Sequence, residues 1–231
     1  MSIDRAAGAF LIGVPVAFNA FFFLLGRHFE YPAVLRSPAG EVLRRFRAGG
    51  LRLKLIWHGF MLTAVLFAPL AVLLGQVLTR DGPELVPVLT TIGVLAAIVQ
   101  FLGLARWPFL VPALARAYEN PNSSPATRDA TVVMFDSFNR YLGIAVGECL
   151  GYLFTGAWTI LVGLAMLESS AFDVWLAWPG VAVGTLLVVG SFEFVGRDDE
   201  TGWNLAGRIV PIAYIAWSLW LIVSGVVLLA D

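Results

Sequence analysis

Residues 53–78 read LKLIWHGFMLTAVLFAPLAVLLGQVL, and in this run only Lys54 and His58, both near its start, can carry a positive charge. A helix on the surface of a soluble protein keeps a polar face, and this run has none. About 20 apolar residues in a helix reach across the hydrocarbon of a bilayer, so the stretch predicts a membrane-spanning helix. Pro69 within it is tolerable, because neighbouring helices re-satisfy the backbone groups that it frees. The same holds for Pro15 and Pro211 in the first and last apolar runs.

The rest of the chain carries the same signature. Of its 231 residues, 59% are hydrophobic and 13% are charged, and the mean hydropathy is +0.83. A soluble domain holds roughly a quarter charged residues, because its surface must be wetted whatever its core. Lipid is therefore the expected solvent for most of this surface. The segments are continuously apolar rather than alternating in short bursts, which selects helices over a barrel. Six spans follow, at residues 7–26, 53–78, 85–104, 141–166, 174–195 and 205–230. The expected fold is all-α: a six-helix integral membrane bundle in one transmembrane domain, residues 1–231, with short cytoplasmic interfacial helices. The first run is long enough to span and lacks a strong cleavage signature, so it is expected to be a retained helix.

Basic residues set the orientation. The first loop carries Arg27, Arg36, Arg44, Arg45, Arg47, Arg52 and Lys54. The third is flanked by Arg106, Arg116, Arg128 and Arg140, and the fifth by Arg197 and Arg208. The second loop has Arg80, the N-terminus has Arg5, and the fourth loop has no basic residue. The positive-inside rule puts loops one, three and five in the cytoplasm and both termini outside the cell membrane. Trp175 and Trp178 suit the outer interface, and Trp107 and Trp203 the inner one.

Two cytoplasmic segments have patterns of their own. In SPAGEVLRRFRAGG, residues 37–50, Ser37 can cap a helix, Pro38 suits its first position and Gly49-Gly50 can end it. Val42, Leu43 and Phe46 share one face against Arg44, Arg45 and Arg47. This reads either as a short helix with its three arginines at the headgroups of an anionic leaflet, each worth about 1 kcal/mol, or as a basic loop that only fixes topology. The segment from Arg106 to Ala130, with prolines at 108, 112, 121 and 125, is expected to bend helix three out of the bilayer and cross to helix four.

Chemistry is sought first at ionisable groups inside the membrane, each of which costs about 2.5–3.5 kcal/mol at mid-helix. Glu148 stands in YLGIAVGECLGYLFTG, residues 141–156, roughly 10 Å along the helix from its inner end. On an α-helix, Arg140, Glu148, Tyr152 and Thr155 fall on one polar face, and Thr159 extends it. Gly143, Gly147 and Gly151 make an adjacent small-residue stripe suited to close helix packing. His58 belongs to the same half of the bilayer. Glu148 reads either as the anchor of a polar ligand, ion or proton, or as a buried hydrogen-bond partner. Lys54, Arg106 and Arg208 read as cations that snorkel to headgroups.

Other classes find no support in the residues. The net charge of −1 offers no basic field for nucleic acid. Cys149 alone cannot build a disulfide framework, and it projects about 100° away from Glu148 on an α-helix. His28 and His58 do not form a haem or metal pattern, and no metal-ligand, nucleotide-loop or nucleophile-elbow motif occurs. No cofactor is expected.

Five segments in order, FEYPAVLRSPAGEVLRRFRAGG, RWPFLVPALARAY, FNRYLGIAVGECLGYLFTGAWT, GSFEFVG and VPIAYIAWSLW, together resemble a bacterial, largely actinobacterial, multi-pass membrane family described as a domain of unknown function. The likeness covers nearly the whole chain, and helix four is its most specific part. It implies the six-helix reading and no reaction, substrate or cofactor. It also implies histidine after the glutamate in most members, so a metal or proton-relay pair does not carry over to Cys149.

Three functions remain open. The first is a non-enzymatic protein that binds a small polar ligand, ion or lipid headgroup in an inward-facing cavity around Glu148, with Arg140, Tyr152, Thr155 and His58. The second is a structural or regulatory subunit that docks a membrane partner or a second copy through Gly143, Gly147 and Gly151. The third is a small inner-leaflet lipid enzyme with Glu148 and His58 as acid and base. The orientation is directly testable. In a Cys149→Ser background on intact cells, an impermeant thiol reagent should label Ser169→Cys and spare Ser37→Cys, and the opposite pattern would invert the topology.

Overall fold

The computed structural model describes residues 2–81, 84–195 and 202–230; Arg197, assigned above to the fifth loop, lies outside them. The described elements are helices, with no strand among the described residues. Apart from three short 3-10 turns (Ala33–Arg36, Thr79–Asp81 and Ser191–Phe194), they are α1 (Ile3–Phe29), α2 (Ala39–Leu78), α3 (Val86–Phe109), α4 (Val111–Glu119), α5 (Pro125–Phe138), a π-helical stretch (Asn139–Leu150), α6 (Gly151–Met166), α7 (Val174–Gly190) and α8 (Asn204–Ala230). Among the described residues, six spans are long and apolar enough to cross a membrane: α1, α2, α3 with α4, the run from α5 to α6, α7 with the turn after it, and α8. The helices continue through Pro15, Pro69 and Pro211.

Consecutive spans pack side by side, and α1 meets α8, so the six close into a ring in chain order. Glycines let the ring close. At the α1–α8 seam, a Cβ built on Gly225 would lie 2.9 Å from the Gly8 carbonyl oxygen. The same seam carries a polar tie, Asn19 Nδ2 donating to Ser218 Oγ at 2.9 Å. Arg80 pairs with Asp4 at 2.8 Å and pins the end of α2 to the start of α1.

The interior divides into two cores. One lies towards the far end of the bundle, around Phe67, Leu70, Leu74, Trp158, Trp217 and Leu221. The other lies at the arginine-rich end and is aromatic. There Trp57 and Trp107 stack at 4.3 Å with their planes 7° apart, and Phe29 meets both edge-on. Such aromatic pairs add about 0.5–1.5 kcal/mol beyond the area they bury. Trp107 is therefore buried at 1% exposure and is not an interface anchor. Trp175, Trp178 and Trp203 remain exposed.

The segment 37–50 departs from expectation in part. Its helix does break at Gly50, as the Gly49-Gly50 pair predicts, but its apolar face does not lie in lipid. Gly50 adopts φ 57° and ψ −148°, a conformation open chiefly to glycine, and helix α2 bends there and runs on to Leu78. The bend folds the first turns over the end of the bundle, where Val42, Leu43 and Phe46 bury themselves in the aromatic core. Phe46 stacks on Trp107 at 6.0 Å. Ser37 makes no cap, and Pro38 holds the N-cap position. Arg44 and Arg47 stay exposed, while Arg45 bridges Glu30 and Glu41 at 2.6 Å each.

The proline-rich connection is more helical than expected. Ser124 caps α5 by accepting from the Thr127 amide at 3.1 Å, with Pro125 at the first helical position, where its missing N–H is no loss. Helix four therefore starts at Pro125 rather than at Tyr141. The bend in α2 gives a stability test. Gly50→Ala should cost about 1–3 kcal/mol in detergent unfolding, while Gly13→Ala, with nothing within 4 Å of a Cβ, should change it by less than about 0.5 kcal/mol. Equal stability in both would remove the backbone constraint at Gly50.

Candidate functional site

Helix four reaches Glu148 through the π-helical stretch Asn139–Leu150. Hydrogen bonds there close from residue i to i+5, a form concentrated at functional positions. The three- and four-residue steps that put Arg140 on the face of Glu148 hold only for an α-helix. Arg140 is exposed instead. Depth also changes. Met166 ends the helix at the far side, and Glu148 lies about 27 Å from it at 1.5 Å per residue. That is close to the full thickness of a hydrocarbon core of about 30 Å. Glu148 thus lies towards the arginine-rich end of the helix.

The glycine stripe is filled by the chain's own α3. A Cβ on Gly147 would lie 2.9 Å from the Gly103 Cα, and one on Gly103 would lie 2.5 Å from the Gly147 Cα. Gly151 faces Gln100, and Gly143 faces the Arg106 guanidinium. Residues 100, 103 and 106 on one helix thus mesh with 151, 147 and 143 on the other. A partner or second copy cannot dock on a face already covered, so that expectation is withdrawn.

The same meshing brings Arg106 inward. It is 8% exposed and does not snorkel, unlike the exposed Lys54 and Arg208. Its Nη2 donates to Asn139 Oδ1 at 3.0 Å, and its Nη1 donates to the Gly103 carbonyl. The guanidinium carbon lies 5.3 Å from the Trp107 ring centroid. Its Nε is buried without a partner.

Around Glu148 the chain gathers groups from five of its segments. The charges of Arg106 and Glu193 reach it. Its own charge is felt by Tyr31 from the α1–α2 connection, Tyr152 of α6 and Tyr214 of α8. Tyr152 and Tyr214 meet edge-on at 5.6 Å, and Tyr31 meets Trp57 at 5.2 Å. Glu148 and the three tyrosines are half-buried, not sealed. Among the described residues, the ion pairs within 4.0 Å are those of Arg45 and Arg80, and none joins Arg106 to Glu148.

Thr155 and Thr159 serve the packing. Thr155 is fully buried and accepts from Gln100 Nε2 at 2.8 Å, with the Tyr214 hydroxyl beside it. Thr159 donates to the Thr155 carbonyl at 2.7 Å and accepts from Trp217 Nε1 at 3.0 Å. A separate narrow void bordered by Phe18, Gln100, Leu104 and Trp217 has about the volume of one water molecule. His58 sits elsewhere on the seam of α2 and α3, its ring edge-on to Phe109 at 6.0 Å. Arg44 and Arg47 stand on the outer face of α2. No group of three His, Cys, Asp or Glu side chains suited to a metal occurs among the described residues.

Tyr31 and Tyr214 are the groups near Glu148 that the sequence did not point to; Arg106 and Glu193 map to the same half of the chain as Glu148 by sequence, with Arg106 read as a snorkelling cation. The signal for Arg106 was its place three residues after Gly103, matching the spacing of the glycines on helix four. Nothing in a single sequence marks Tyr31 or Tyr214, because they arrive from the two ends of the chain.

One family model matches residues 6–225 of the chain: Domain of unknown function (DUF4386). No curated protein and no solved structure matches it.

The crossing of α3 with helix four sets the geometry of the site and can be probed alone. Gly103→Ala drives a methyl group into the backbone of Gly147 and should cost about 1–3 kcal/mol in detergent unfolding, as overpacking does. Gly151→Ala, which meets only the flexible Gln100 side chain at 3.2 Å, should cost less. A neutral Gly103→Ala would mean the helices have room to part.

Proposed function

Since the chain belongs to the DUF4386 family, whose description assigns no reaction, we propose from its own geometry a polytopic membrane protein that binds a small polar ligand. The whole chain works as one transmembrane unit of the cell membrane, with its arginine-rich end in the cytoplasm. The binding site is the crevice around Glu148, opening towards that end.

The observation that carries this reading is the unpaired pair of opposite charges. Arg106 and Glu148 lie within electrostatic reach of each other, yet no ion pair within 4.0 Å joins them. A buried pair kept only for stability is expected to close, because an open one bears the desolvation of both charges without the contact. An open pair has room for a guest. The ammonium or hydroxyl end of a polar molecule, or a cation, faces Glu148, and an acceptor end faces Arg106, which has a buried donor to spare. Tyr31, Tyr152 and Tyr214 add hydroxyls and ring faces to the walls. Lipid headgroups, ions and small zwitterions all fit that description. No observation favours the lipid enzyme, as His58 is turned to Phe109.

Accessibility tests the crevice. In a Cys149→Ser background, Glu148→Cys should react with a small charged thiol reagent applied from the arginine-rich side. Thr155→Cys, from a fully buried position, should react at least about tenfold more slowly. Arg106→Ala should speed the reaction at position 148 by opening the wall. If Glu148→Cys is as inert as Thr155→Cys, the crevice is closed and the reading fails.

A further inference from the structure

A second cavity lies away from Glu148, between the end of α1 and the start of α2. It measures about 380 Å³ and is lined by Arg27, His28, Phe29, Glu30, Arg45, Ala48 and Gly49. That volume is within the usual range of small-molecule sites, roughly 300–1,000 Å³. The bend at Gly50 shapes it, because the first turns of α2 lean over the bundle while the rest of α2 follows α1. Ala48 and Gly49 leave its α2 wall low.

The bonding of His28 shows what the cleft offers. Arg52 Nη2 lies 2.9 Å from His28 Nε2. Arginine is always protonated and can only donate, so Nε2 accepts, and the proton of the neutral ring sits on Nδ1. His28, which lines the cleft, therefore keeps an N–H donor on Nδ1, and Arg52, though not lining the cleft, stands beside its ring. The negative end of the α1 dipole accounts for cations at Arg27 and His28. It does not account for Arg52, which comes from beyond the bend.

Charge decides the class of ligand. Glu30 also lines the cleft, but its carboxylate is held by Arg45, which in turn holds Glu41. That triad carries a net charge of −1, and Arg27 and Arg52 add two positive charges, which leaves the cleft cationic. Arg44 and Arg47 stand exposed on the neighbouring turns. His28 lies about 38 Å along α1 from Ile3 at 1.5 Å per residue, and Arg52 lies at a similar distance from Leu78. The cleft is thus just outside a hydrocarbon core of about 30 Å, at headgroup level. Guanidinium groups beside a further N–H donor match the oxygens of a phosphate.

We propose that this cleft binds a phosphate-bearing anion, whose sources are a phospholipid headgroup of the adjoining leaflet and a free phosphate. The site is independent of Glu148. Native mass spectrometry of the purified chain, titrated with phosphatidylglycerol and separately with inorganic phosphate, tests it. One of the two should bind saturably, and more tightly than phosphatidylcholine. Arg27→Ala with Arg52→Ala should weaken that binding about tenfold or more, as expected for lost charge-assisted hydrogen bonds. Arg44→Ala with Arg47→Ala, outside the cleft, should change it less than about twofold. Ala48→Trp keeps every cation and fills the space, so it should also abolish binding; it decides the matter if the alanine pair does not fold. Retention of phosphatidylglycerol against excess phosphate assigns the site to lipid, and displacement assigns it to the free anion. Equal losses in the two arginine pairs would reduce the effect to diffuse surface charge and overturn the proposal. So would full binding by Ala48→Trp, or saturable binding of neither compound.

Discussion

The contact on which the arginine-rich half of this molecule depends is the crossing of α3 and helix four at Gly103 and Gly147. The two backbones approach so closely that a single methyl group has no place between them. In a bilayer, helices gain little from the hydrophobic effect by associating, so close backbone packing at small residues does much of the holding. The same crossing determines which charges meet. It presses Arg106 against Gly143, ties it to Asn139 across the seam, and brings it within electrostatic reach of Glu148. Packing and site are one feature here. The glycines are needed both to bring the helices together and to leave room for a guanidinium between them.

A second constraint acts at the end of the bundle. Gly50 bends α2, and the bend turns an amphipathic segment onto the protein's own aromatic core, with Phe46 over Trp107 and Trp107 over Trp57. This core lies about 32 Å along α2 from Leu78, beyond most of the hydrocarbon. Water, not lipid, is the alternative environment for those rings, so burying them draws on the ordinary hydrophobic effect. The far core, around Trp158 and Trp217, lies within the hydrocarbon zone and relies on fit and on hydrogen bonds such as that of Trp217 to Thr159. The two halves are thus held by different physics, and both Glu148 and the cleft at His28 lie towards the arginine-rich half.

Much of the architecture was legible in residue order. Six apolar runs, their helical character and Glu148 as an unusual residue all follow from composition and spacing. Span edges moved where local chemistry overrode hydropathy, as with Ser124-Pro125, which starts helix four well before its apolar part. The site was only partly legible. Tyr152 lies within electrostatic reach of Glu148, whereas the α-helical steps that would align the exposed Arg140 with Glu148 do not hold along a π-helical stretch. Arg106 was taken for a snorkelling cation, because a basic residue near a helix end usually reaches water.

By itself, the sequence determined the class of solvent. So many apolar residues in runs of spanning length can be stable only in lipid, and there the backbone must be helical to satisfy its own hydrogen bonds. Only the tertiary structure decided which polar groups face one another. That depends on helix rotation and on contacts between residues far apart in the chain, such as Tyr31 and Tyr214 with Glu148. Rotation is set by glycine-to-glycine approach and by the π-helical stretch, and neither a hydropathy pattern nor a loop charge specifies them.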